Sequence, residues 1–144
     1  MADARLLDID PDKLLAALLR PEMPGPGGTR LPADYMLRLD PDGYWLARQG
    51  GGGGDVDDRF ADAVSVQLDG LAAGETCRAD ARRIVRLMLV LLRAAQRRST
   101  TTDHGHIARL RVDTWPEEVR EPDQPAGFAR YTASCALLLR PPTS

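Results

Sequence analysis

Lysine is almost absent: Lys13 is the only one among nineteen basic residues, so the positive charge is arginine. With the many Ala, Gly, Asp and Pro, that bias fits a GC-rich coding sequence better than an arginine-specific task. Cysteine is scarce too. Cys77 and Cys135 are too few for a disulfide framework, and both sit in apolar patterns that predict reduced core residues. His104 and His106 are the only histidines. Together with Asp103 they fall short of a metal site, and a surface turn is the expected setting. A Ser/His/Asp site would need one of them beside a nucleophile, and no G-x-S-x-G elbow is present, so nothing points to an enzyme. No apolar run approaches the roughly 20 residues of a membrane span. The acidic start, MADARLLDIDPDK, lacks the apolar core of a signal peptide, so the chain is expected in the cytosol at synthesis. A net charge of −2 gives no global pull toward nucleic acid or membrane.

What is present is a chain of 144 residues, 43% hydrophobic and 28% charged, sized for one domain, 1–144, with one real core. Its organising stretch is 78–98, RADARRIVRLMLVLLRAAQRR. It has no Gly or Pro and is rich in Ala, Leu and Arg, so it predicts a long helix. Cys77, Ala81, Ile84, Met88, Leu91 and Ala95 make one apolar stripe, with Arg78, Arg82, Arg86, Arg93 and Arg97 opposite. Residues 87–92 are apolar without a break. Leu89 and Val90 are therefore expected to point toward the arginine side. A helix apolar on both sides at its centre should be covered twice, once by its own sheet and once by something else.

Along the rest of the chain, 1–9 is an N-terminal arm. Asp10 caps, and Pro11 begins, a first helix whose buried face is Leu14, Leu15, Leu18 and Leu19, ended by Pro21. Residues 21–28 read as a loop. Tyr35, Met36 and Leu39 favour a short helix near 32–39, against a strand in which Tyr35, Leu37 and Leu39 alternate. Residues 44–49 and 63–69 predict two strands of a long-looped antiparallel hairpin. A polar turn spans 98–105. Residues 106–113 predict a third strand with one slip of register, 114–127 a loop, and 128–140 a fourth strand whose three leucines predict cover on both faces. Residues 141–144 form a tail. The expected fold is mixed α/β (α+β): a four-stranded, mostly antiparallel sheet of two hairpins backed by one long helix and an N-terminal helix, in the order α-(α)-β-β-α-β-β.

The run Gly50, Gly51, Gly52, Gly53 and Gly54 follows a strand, as a phosphate loop would. A phosphate loop needs a Lys-Ser/Thr pair next, whereas Asp55, Asp57 and Asp58 follow here and repel phosphate. The same aspartates with Asp62 lack calcium-loop spacing. A mobile, solvated hairpin tip is the favoured account, and no cofactor or metal is called for.

The arginine face, joined by Arg83 and Arg98 against Asp80, admits three uses: a solvated surface, a nucleic-acid face, or a protein interface. The loops are acidic in compensation, through Asp55, Asp57, Asp58 and Asp62 in one and Glu117, Glu118, Glu121 and Asp123 in the other. Complementary charges on different surfaces of one chain suit a head-to-tail contact that can close into a ring.

The phrases LLAALLR, TRLPADY, YWLARQGG, DRFADAVSVQLDG, GHIARLRVDT, WPEEVREPDQP and ARYTASCALLLRP occur in this order, over residues 10–141. In them the chain resembles the tail terminator proteins of long-tailed (siphovirus-type) bacteriophages, especially those infecting actinobacteria. It departs from that pattern in a longer glycine run and a longer STTTDH turn. The resemblance implies a structural virion protein without enzymatic activity. It implies a homo-hexameric ring that sits on the last ring of the tail tube, stops its growth, and presents a surface to the head-side connector or stopper protein. Genomic DNA would pass through the lumen unread. The place would be the head-proximal end of the virion tail, after assembly in the host cytoplasm, with no membrane partner. On that basis Arg82, Arg86, Leu89, Val90 and Arg93 are the expected subunit contact. Tip loops carrying the glycine run with Asp55, Asp57, Asp58 and Arg59, and Trp115, Pro116, Glu117, Glu118 and Arg120, are expected to meet tube or connector. Trp115 beside Pro116 is either an interface anchor or a core tryptophan capping the sheet.

Overall fold

The computed structural model describes residues 9–33, 43–50, 56–57 and 61–142. The short helix expected near 32–39 falls mainly on 34–42, outside them. The described residues form one mixed α+β unit of a single sheet and two helices.

Helix α1, Pro11–Leu19, starts as its residues dictate: the Asp10 side chain accepts from the Lys13 N–H at 3.1 Å, and Pro11 supplies a preset φ. Leu14, Leu15 and Leu19 are buried. The backbone N–H of Gln49 donates to Asp12 at 2.9 Å, tying the first turn to the sheet.

The strands are β1 (Gly27–Gly28), β2 (Tyr44–Gln49), β3 (Val56–Asp57), β4 (Ala61–Ala73), β5 (His106–Val119) and β6 (Phe128–Arg140). Five lie side by side in the order β1-β2-β4-β6-β5, and β3 pairs with the start of β4. Two antiparallel hairpins, β2/β4 and β5/β6, are therefore zipped together through the long β4–β6 ladder.

Five expectations need correction. The sheet exceeds four strands. Within 21–28, Gly27 and Gly28 pair in parallel with Trp45 and Leu46. A Cβ at Gly27 would fall inside the Trp45 ring, so glycine is what lets the chain lie against this buried indole. The third strand does not stop at 113. It runs on to Val119: the one slip expected within 106–113 lies between Ile107 and Arg109, and two more follow, between Val112 and Thr114 and between Thr114 and Glu117. Of the leucines near the C-terminus, Leu137 and Leu139 are buried but Leu138 is only half-buried, so cover is complete on one face alone. Cys77 is half-buried, whereas Cys135 is buried as expected.

Helix α2, Cys77–Arg97, lies across β4, β6 and β5. Val64, Val66 and Leu68 of β4, Ala133, Cys135 and Leu137 of β6, and Ile107 of β5 form the core with α1 and α2. The helix approaches β4 so closely that a Cβ at Gly70 would strike the Ala81 carbonyl. No helix among the described residues is long and apolar enough to cross a membrane.

Candidate interaction site

The inward stripe of α2 is broader than its sequence period indicates. Ala81, Val85, Met88, Leu89, Leu92 and Ala95 are buried, while Ile84 and Leu91 flank the core half-buried. Leu89 is thus corrected. It is 8% exposed and belongs to the core, because β5 reaches around that side of the helix. Val90, one residue on, is 63% exposed. Only one of the two residues expected on the arginine side points there.

Val90 has an unexpected companion. Trp115 is 72% exposed, which removes the core-cap alternative for it. Thr114 pairs with Ser134 and Glu117 with Thr132, so β5 spends three steps where β6 spends two. The extra residue delivers Trp115 to the α2 side, where it lines an open groove of about 430 Å³ with Leu89, Val90, Arg93, Leu110 and Val112. Pro116, lacking an N–H, suits this irregular stretch of an edge strand. The two large apolar side chains exposed among the described residues therefore share one surface.

Arginines surround them. Arg82, Arg83, Arg86 and Arg97 are exposed, with no ion pair among the described residues. Arg82, Arg86, Val90, Arg93 and Arg97 follow one another at steps of four, four, three and four, a single ridge along α2. Arg93 is partly committed: its Nη1 donates to the Leu110 carbonyl at 3.2 Å, pinning the helix to the outer strand.

The other expected contact residues are dispersed. Trp115, Pro116, Glu117 and Glu118 are in β5 rather than in a tip loop, and Arg120 follows the strand. Glu118 pairs with Arg78 at 3.3 Å and with Arg120 at 3.4 Å, and Glu121 accepts from Arg130 at 2.8 Å. Two acids of the second segment are therefore engaged within the subunit, while Glu117 and Asp123 are exposed. Of the first, Gly50 donates its N–H to the Ser65 carbonyl at 2.7 Å and Asp57 ends β3. Gly51, Gly52, Gly53, Gly54, Asp55, Asp58 and Arg59 lie outside the described residues. A wider opening of about 730 Å³ between the start of α2 and the β5–β6 connection is lined by Arg78, Arg120 and Glu121, already paired as above.

Sequence reasoning missed the one fully buried acid among the described residues. Asp69 is 0% exposed on the face of β4 away from α2. It accepts from Arg130 Nε at 3.0 Å, from Arg130 Nη2, from Thr132 Oγ1 at 2.6 Å and from Gln67 Nε2 at 3.1 Å. Both oxygens are occupied and closed to solvent, which suits a structural tie and not a proton-transfer group. Its partner Arg130 is 61 residues away in the chain, so no local spacing signals the pair. Burial, with a smaller contribution from Asp113, pushes the Cys135 thiol up to about 12, which keeps it protonated and unreactive.

Compared with known proteins, the chain is matched by no protein-family model and by no curated protein.

Proposed function

We propose that this chain is a structural, ring-forming protein of the tail-terminator kind. Copies associate through the α2–β5 groove, and the closed ring caps a completed tail tube and meets the head-side connector. The observation that carries this proposal is the meeting of Val90 and Trp115 on one arginine-rimmed groove. An exposed tryptophan beside an exposed aliphatic residue, ringed by arginine, has the composition of an interface centre. The order of sequence phrases supplies the class of assembly.

The arginine ridge also favours a second use, contact with a phosphate backbone. Val90 in the middle of the ridge, and Trp115 across from it, favour a protein partner instead, because a backbone-tracking surface gains nothing from an aliphatic centre. Binding to duplex DNA that falls steeply with salt would support the second use.

The test is Val90→Asp combined with Trp115→Ala, with size measured by light scattering across a concentration series. Assembly should be lost while the far-UV spectrum is kept. Rings that persist in this variant would remove the groove from the account. Leu89 is left intact, because an aspartate at that core position would unfold the subunit.

A further inference from the structure

We infer that the groove between α2 and β5 receives the acidic β3–β4 segment, residues 55–62, of a neighbouring copy. This pairing rests on the ring assembly proposed above and names the element that fills its contact.

Charge narrows the choice of occupant. Helix α2 presents Arg82, Arg86 and Arg97 on its ridge, and Arg83 beside it, without internal partners among the described residues, against Asp80 as the one acid of the helix. Its occupant must bring carboxylates. Glu118 and Glu121 are held by Arg78, Arg120 and Arg130 of their own subunit. The densest remaining acidic stretch is DVDDRFAD, with four aspartates against one arginine in eight residues. It also contains Val56 and Phe60, the apolar content that a groove centred on Val90 and Trp115 calls for.

The topology puts the two surfaces on opposite flanks. Val56 and Asp57 pair antiparallel with Asp62 and Ala61, so β3 lies beside the start of β4. Asp62 is already paired to Leu139 of β6, which leaves the β2 side of β4 for β3. The groove lies two strands away, at the β5 edge. Donor and acceptor do not overlap, so each copy can use both at once. That is a head-to-tail contact, the kind that propagates and closes into a ring. Edge-to-edge strand pairing is a poorer route, since β5 is bulged and carries Pro116 and alternating charges on its free side.

The experiment is a charge swap on the full chain. Arg86→Glu with Arg97→Glu reverses the ridge, and Asp57→Arg with Asp58→Arg reverses the acidic segment. Each pair alone should weaken association by about tenfold or more at about 0.1 M salt. Mixing the two variants, or joining all four changes in one chain, should restore it. Association of the unmodified protein should also weaken with rising salt, a readout that needs no variant. If Val90→Asp with Trp115→Ala abolishes assembly but the swaps do not restore each other, the acidic segment is not the occupant and the ring stands. If the unmodified protein is monomeric at every concentration, both proposals fall. Assemblies that dissolve under nuclease would assign the ridge to nucleic acid and overturn the pairing.

Discussion

Arg130 is a side chain whose loss the structure makes consequential. It reaches two acids at once: Asp69, wholly buried in the middle of β4, and Glu121, in the connection between β5 and β6. Arg130→Met keeps much of the aliphatic volume and removes the guanidinium. Asp69 would then face Leu46 and Leu71, both fully buried, with Thr132 and Gln67 as its remaining donors. Removing one partner of a buried, hydrogen-bonded ion pair costs about 3–5 kcal/mol. A domain of this size holds about 5–15 kcal/mol in all, so roughly a fifth or more of the stability is at stake. Urea unfolding reads the change as a shift of midpoint at constant slope. The control is the double variant, Asp69→Leu with Arg130→Met, which leaves no uncompensated charge at the centre of the sheet. It should recover much of the loss, with a coupling of about 2 kcal/mol or more. The loss in the single variant should change little between about 0.1 M and about 1 M salt, since the pair is shielded from solvent. Additive single losses, or a loss below about 1 kcal/mol for Arg130→Met, would refute the view that this pair ties the two hairpins together.

Two further outcomes follow from contacts in the core. Gly70→Ala should destabilise by about 1–3 kcal/mol, because the new methyl meets the Ala81 carbonyl and the helix must rise off β4; a neutral result in thermal melting would show that α2 has room to shift. Cys135 makes a pH-dependent contribution. Its thiol is held up to about 12 in the fold, so stability is complete below the ordinary thiol pKa and is lost as pH rises toward 12; Cys135→Ala should flatten that alkaline slope, and an unchanged slope would count against it.

Local chemistry made much of the fold readable. Asp10-Pro11 announces α1, the glycine-free 78–98 stretch announces α2, and the alternation of Val64, Val66 and Leu68 announces β4. The failures have physical causes. The extension of β5 was hidden because Pro116, Glu117 and Glu118 read as loop, and only an edge strand with bulges tolerates them. Gly27 and Gly28 carry no side-chain pattern at all; their pairing exists because Trp45 needs a neighbour without a Cβ. Leu89 was misplaced because a period of 3.6 locates the centre of a stripe and not its width. The width is set by how far β5 curls around the helix. Asp69 and Arg130 come together through the β4–β6 register, to which no sequence window has access. For the candidate site, Val90 and its arginines were legible, whereas the arrival of Trp115 beside them depends on a bulge.

The measurement that bears most directly on the central claim is the mass of the purified chain in solution, by light scattering or native mass spectrometry, with and without Val90→Asp and Trp115→Ala. The account predicts a closed oligomer for the unmodified protein and a folded monomer for the variant. A folded monomer in both cases, at every concentration reached, would contradict it.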